Sequence, residues 1–249
     1  MFKNKVVLVT GAAQGIGYEI AGSFAREGAT VGLVDVNDRE VKKSAEKLAN
    51  EGYSSLAFQA DVSNAVQVRQ VVDSALEEWG RIDIMVNNAG ICPITPPMEI
   101  SPEEWDKVLG INLKGTFLFS QAVIPPMQEQ GHGKIINIAS VWGLVGSSGL
   151  FPVPAYNAAK GAVVNLTREL GLEYAPMGIN VNAICPGYHR TSLHPEGARQ
   201  EIEKTILARM PLKKIAMPND IKGLAVWLAS EASSFVTGQI FIEDGGEMA

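Results

Sequence analysis

Tyr156 is followed four residues later by Lys160, with Ser140 upstream of both. On a helix this spacing puts the phenol and the ammonium on one face, one turn apart. A cation beside a phenol favours the phenolate and lowers its pKa, which suits proton transfer. The run TGAAQGIG at residues 10–17 adds a glycine-punctuated turn that could seat a dinucleotide. Together these residues read as hydride-transfer chemistry. Neither feature is specific alone, and packing could place a lysine after a tyrosine; their relation to the surrounding elements decides.

Those elements alternate. Short β-branched runs at 6–10, 30–35, 55–61, 82–87, 134–140, 179–185 and 239–243 read as buried strands. Between them lie amphipathic stretches. The clearest carries Val68, Val71, Val72, Ala75, Leu76 and Trp79 on one stripe and ends at Gly80. Another starts at Ser101, which can cap the helix, with Pro102 at its first position and Glu104 placed to close a capping box. Strand–helix repetition predicts an α/β fold: one Rossmann-like, doubly wound domain over 1–249, with a central, mostly parallel seven-stranded sheet and helices on both faces. The helix expected from about 102 to 124 is apolar over much of its circumference and needs a second partner, either another subunit or a loop of this chain.

Composition narrows the classes. Of the 249 residues 46% are hydrophobic and 19% charged, enough apolar side chain to cover both faces of a sheet. A formal charge of −6 offers no basic footprint for nucleic acid. Nothing approaches the ~18 consecutive apolar residues of a membrane span, and the N-terminus lacks the pattern of a secretory signal. Cys92 and Cys185 stand far apart, and His132, His189 and His194 are not grouped with acids or cysteines at metal-ligand spacing. No metal and a reducing, cytoplasmic setting are expected.

The turn after the first strand places Gly11, Gly15 and Gly17 ahead of a helix whose N-terminus offers unpaired N–H groups and positive dipole to a pyrophosphate. Asp35 closes the second strand 18 residues past Gly17, where a carboxylate can accept from an adenosine ribose and repel a 2′-phosphate. Val36 follows, and the loop holds Ala13 and Gln14 without Arg or Lys. NAD is therefore expected over NADP.

With these residues in place, the chain resembles the short-chain dehydrogenase/reductase family essentially end to end. TGAAQGIG is similar to that family's glycine loop, Asp61 in ADVS to its adenine-contacting Asp, and NNAG at 87–90 to its fourth-strand motif. Asn112, Ser140, Tyr156 and Lys160 resemble its catalytic tetrad, and ICPG at 184–187 with Thr191 the stretch that holds the nicotinamide. The resemblance implies cofactor contacts from Gly11, Gln14, Gly15, Ile16, Gly17, Asp35, Asp61, Val62, Asn88, Ala89, Gly90, Tyr156, Lys160, Pro186, Gly187 and Thr191. It implies Tyr156 as general acid/base, Lys160 lowering its pKa and holding the nicotinamide ribose, and Ser140 aligning the reacting oxygen. Asn112 is either a buried amide satisfied by backbone or, as the resemblance implies, the holder of a water that relays protons to Lys160. A homotetramer is implied as well.

One departure is a step of 16 residues from Ser140 to Tyr156, longer than the family usually shows. The segment is read as a loop over the site, and it brings Ser147 and Ser148 into competition with Ser140, which is preferred because it follows its strand directly. Candidate substrate contacts are Cys92, Ile94, Trp142, Phe151, Tyr188 and His189, joined by Pro93 and Val153; a lid is expected near 188–212. His189 and His194 read as solvated loop residues, with a substrate contact from His189 or Tyr188 as the alternative. This lining has no obvious cation cluster and suits a small-molecule secondary alcohol or ketone of the polyol, sugar or cyclic type. Reduction of 3-oxoacyl chains on acyl-carrier protein and non-catalytic NAD binding are the alternatives.

Overall fold

The computed structural model describes residues 1–147, 151–191, 193 and 199–249. Seven strands, β1 (Val6–Thr10), β2 (Thr30–Asp35), β3 (Ser55–Gln59), β4 (Ile84–Asn87), β5 (Gly133–Ile138), β6 (Ile179–Pro186) and β7 (Ile240–Glu243), form one sheet in the order β3-β2-β1-β4-β5-β6-β7. Every pairing is parallel. The expected strands are all present, several ending one or two residues earlier or later than their apolar runs.

Period-two alternation splits the core between the two faces. Val7, Val9, Leu33 and Val86 meet Ile20 and Phe24 of α1 (Gly15–Arg26), Val41 and Leu48 of α2 (Asp38–Asn50), and Leu228 of α8 (Lys222–Ala229). Leu8, Val34, Met85 and Ile135 face the other way, onto Val71 and Val72 of α3 (Ala65–Trp79) and Phe119 and Val123 of α5 (Gly115–Gln130). Helix α3 begins where the Asn64 side chain accepts from the N–H groups of Val66 and Gln67, and it ends at Gly80 with φ of 70°.

The apolar helix expected near 102–124 is a longer path in three parts. Helix α4 (Pro102–Leu109) passes through a π-helical turn, Gly110–Lys114, into α5, which continues to Gln130 through Pro125 and Pro126. Ser101 caps α4 by accepting from the Glu104 N–H at 3.1 Å. The π turn places Asn112 fully inside the protein, and such bulges concentrate at functional sites. Helix α6 (Pro154–Tyr174) starts at a proline in its first turn and carries Tyr156 and Lys160; α7 (Arg199–Arg209) packs beyond β6. Because strand order reverses between β1 and β4, the chain leaves these neighbours in opposite directions and opens a crevice at their carboxyl ends.

Candidate active site

A cleft of about 970 Å³ occupies that crevice. This lies at the upper end of volumes typical for small-molecule sites and leaves room for a dinucleotide with a small substrate. Its floor is built from segments at the ends of β1, β2, β3, β4, β5 and β6.

At one end the glycine loop turns under the cleft. Gly11 and Gly15 have φ of 63° and 61°, backbone that side chains resist. A Cβ on Gly15 would point into space bounded by Thr191, 3.8 Å away, so the missing side chain leaves a cradle. The first turn of α1 contains no acidic residue, and Gln14 provides no side-chain cap, so its N–H groups remain free for an anion. Asn88 donates to the carbonyls of Thr10 at 2.9 Å and Gly11 at 3.2 Å, tying the loop to the end of β4. Asp35 is fixed at both oxygens, accepting from Ala13 N–H at 3.1 Å and Asn37 N–H at 3.0 Å. Gln14, Ile16, Asp61, Val62, Asn88, Ala89, Gly90, Pro186, Gly187 and Thr191 all reach the wall. Gly17 does not: a Cβ there would strike the Gly11 carbonyl and the Asn88 amide, so this glycine serves packing of loop against helix.

At the other end Ser140, Tyr156 and Lys160 share the wall. Ser140 follows β5, and its Oγ accepts from Trp142 N–H at 3.2 Å. Lys160 Nζ donates to the Ile138 carbonyl at 2.7 Å and lies 5.7 Å from the Tyr156 ring centre. Helix α6 is brought close to the strand end by Gly143, where a Cβ would lie 2.6 Å from the Lys160 carbonyl carbon. Burial lowers the Lys160 pKa to about 8. Burial likewise pushes Cys92 up to about 12 and Cys185 up to about 11, so both are neutral thiols at pH 7.

The expected lowering of the Tyr156 pKa is corrected here. Burial raises it, and a hydrogen bond with the Ser140 side chain opposes the rise. Loss of hydration in this buried corner disfavours the phenolate.

Asn112 is satisfied by backbone at its amide nitrogen only. Its Nδ2 donates to the carbonyls of Ile91 and Val108, each at 3.0 Å, while Oδ1 is buried without a partner. It stands behind the wall at the closest approach to Gly90. An orphaned acceptor here is costly unless a water or ligand donates to it. The glycine cradle, the free helix N-terminus, the anchored Asp35 and this unsatisfied oxygen together fit a nicotinamide dinucleotide.

Among the substrate candidates, Cys92, Ile94, Trp142, Tyr188 and His189 line the cleft, with Pro93. Phe151 does not; it backs Trp142, ring centres 5.6 Å apart, while Val153 is buried in the same cluster. His189 is buried rather than solvated, at 5% exposure. Its Nδ1 faces the Gly187 carbonyl at 3.1 Å, and Nε2 lies 3.0 Å from Glu243 Oε2, although off the direction of a hydrogen bond. Ser147 donates to the Phe151 carbonyl at 2.6 Å, away from the wall; Ser148 and His194 lie outside the described residues. Sequence reasoning missed Lys107, Ile111, Leu193, Ile206 and Glu247 on the wall. A helical period could have offered Ile111, one turn beyond Lys107; nothing in the pattern marks Glu247.

Among the described residues no cluster of His, Cys, Asp and Glu is arranged to hold a metal, and no helix is long and apolar enough to cross a membrane.

A family model described as "Enoyl-(Acyl carrier protein) reductase" matches residues 11–247. An uncharacterized oxidoreductase of Bacillus subtilis (strain 168), YxjF, is 42% identical across 99% of both chains. A short-chain type dehydrogenase/reductase from Mycobacterium marinum superposes with TM-score 0.95 and 34% identity, over 100% of this chain and 97% of its own. A structure from Beutenbergia cavernae, described provisionally as an NAD(P)-dependent gluconate 5-dehydrogenase and holding NADP at low occupancy, gives TM-score 0.93 and 38% identity over 99% of this chain and 97% of that one. The parallel seven-stranded sheet, the glycine cradle and these whole-chain likenesses agree: the chain belongs to the short-chain dehydrogenase/reductase family of oxidoreductases.

Proposed function

We propose that the protein interconverts a secondary alcohol and a ketone with NAD as cofactor, acting on a neutral polyol, sugar or cyclic alcohol. The observation that carries this reading is a single cleft whose wall includes both the glycine loop with Asp35 and the group Ser140, Tyr156 and Lys160. Bound nicotinamide supplies the hydride acceptor or donor. Tyr156 is the general acid/base at the substrate oxygen. Burial holds its proton in place, so it is ready to protonate a carbonyl oxygen, and oxidation in the reverse direction requires its loss. Ser140 Oγ donates to the same oxygen and aligns it. Lys160, held on the Ile138 carbonyl, binds ribose hydroxyls and presents positive charge toward the phenol. Asn112 Oδ1 accepts from a water that connects Lys160 to solvent.

The preference for NAD rests on Asp35. Both its oxygens are held beside the glycine loop, so its charge cannot swing away from a 2′-phosphate. The relative that holds NADP is the reason to test this directly. Reduction of acyl-carrier-protein substrates is the second reading, favoured by the description of the matching family model. The whole chain acts as one catalytic unit, with 188–212 as lid; residues 192 and 194–198 of that span lie outside the described residues. Trp105 and Phe117, exposed on α4 and α5, support contact with a second copy; the homotetramer follows from the family likeness, and a cytoplasmic setting completes the reading.

The deciding experiment follows formation of NADH or NADPH over a panel of polyols, sugars, hydroxy acids and cyclic alcohols. Turnover of a neutral alcohol with NAD is expected. Strong preference for NADPH with acyl thioesters would transfer the assignment to the second reading.

A further inference from the structure

The C-terminal turn delivers an acidic side chain to the cleft. Gly245 and Gly246 both adopt positive φ, 67° and 88°, and lie so close to Met210 and Pro211 that added Cβ atoms would stand 2.9 Å and 3.2 Å from them. Leu212 N–H donates to the Gly245 carbonyl at 3.1 Å, which staples the turn to the end of α7. Asp244 closes it from within, accepting from Gly246 N–H at 2.8 Å and Met248 N–H at 2.7 Å. Glu247 is thereby held on the cleft wall with Ile206, Leu193 and Tyr188. Its side chain is only 8% exposed.

The carboxylate oxygens are not among the buried atoms without a partner and keep access to the cleft, where a bound donor can replace water. Arg209 Nε approaches Oε1 only to 4.0 Å, beyond hydrogen-bond length. Asp35 and Asp61, the other acids on the wall, end β2 and follow β3, on the side of the glycine loop. Glu247 instead borders the lid side, where α7 and Tyr188 meet.

We propose that Glu247 is a specificity-determining residue that accepts a hydrogen bond from a second hydroxyl of the substrate and repels substrates bearing a carboxylate at that position. The inference deepens the dehydrogenase reading and rests on it. A neutral hydroxyl satisfies the acceptor without bringing a second ion into the cleft, whereas two carboxylates there would repel. Burial raises the Glu247 pKa, Arg209 opposes the rise and the neighbouring Asp244 carboxylate adds to it.

The test compares three six-carbon probes with NAD: 3-hexanol, sorbitol and gluconate. Sorbitol and gluconate differ only at one end, a hydroxymethyl against a carboxylate. In the wild type, kcat/KM is expected to rank sorbitol above both others. Glu247→Ala should lower the sorbitol to 3-hexanol ratio at least about tenfold, the worth of one hydrogen bond to a charged group. Glu247→Gln, which keeps an acceptor oxygen without charge, should raise the gluconate to sorbitol ratio by a similar factor. Ratios that move less than about twofold in both variants would overturn the proposal, as would failure of the wild type to oxidise sorbitol. Oxidation of 3-hexanol in that last case would leave the dehydrogenase reading standing and remove only the role of Glu247.

Discussion

Gly90 and Asn112 approach so closely that a methyl group on the glycine would sit 2.5 Å from Asn112 Oδ1 and 3.6 Å from Lys160 Nζ. The strand-end motif and the π turn thus meet at one small space, bounded by an orphaned acceptor and a buried amine. Gly90→Ala fills it. The variant should lose about 1–3 kcal/mol of stability from overpacking and at least about tenfold in kcat from displaced groups. Urea unfolding and steady-state assays check this together; unchanged kcat would show that the space plays no part in proton movement.

Asp35→Ala removes the anchored carboxylate beside the glycine loop. Hydrogen bonds to a charged acceptor are worth about 1.5–3 kcal/mol, so the NAD to NADP ratio of kcat/KM should fall roughly 10- to 100-fold. A ratio that does not move would place cofactor discrimination elsewhere.

Asp83 lies away from the cleft, nearly inaccessible, and gathers Arg81, the Val6 N–H, His132 and Lys5. Burial alone would raise its pKa, yet these donors bring it down to about 2 from 3.8. The folded value is depressed, so the group adds stability above pH 4 that is lost as pH falls toward 2. That contribution is about 2 kcal/mol. Asp83→Asn should therefore be less stable than the wild type at pH 7, with the gap closing near pH 2.5. A gap independent of pH would contradict the assignment.

Lys160 is linked in the same direction, through a penalty that is relieved instead of a stabilisation that is gained. Its folded pKa is lowered by burial to about 8 from 10.5, so folding carries a penalty while the amine is charged, below pH 8. The penalty fades as pH rises from 8 to 10.5, amounting to about 3 kcal/mol. Relative to Lys160→Met, the cofactor-free wild type should gain stability across that window in urea unfolding. Parallel pH curves for the two proteins would show that the amine is better solvated than its surroundings imply.

Much of this was legible because glycines and alternation leave strong local marks. The seven strands announced themselves as β-branched runs, Gly11 and Gly15 stand where positive φ calls for glycine, and Asp35 closes β2. What was hidden depends on tertiary contact. Gly17 carries the same motif letter as Gly15, but only the fold shows that it faces Asn88 and Gly11 instead of the cleft. Phe151 reads in the sequence as a substrate contact and His189 as a solvated loop residue; one backs Trp142 and the other is buried between Gly187 and Glu243. The sign of the Tyr156 shift was missed because spacing reveals the adjacent charge, whereas desolvation depends on everything packed around it. Glu247 had no periodic context at all and reaches the wall through a turn that only tertiary packing fixes.

The central claim, that the Tyr156 hydroxyl moves the proton, is tested most directly by Tyr156→Phe. The substitution removes one oxygen from a packed corner and leaves the glycine loop, Asp35 and Lys160 untouched. NADH titration followed by fluorescence should give a Kd within about threefold of wild type, while kcat falls by about 10²- to 10⁴-fold, the range assigned to general acid–base catalysis. A variant that binds NADH and turns over alcohol at a rate near wild type would contradict the account.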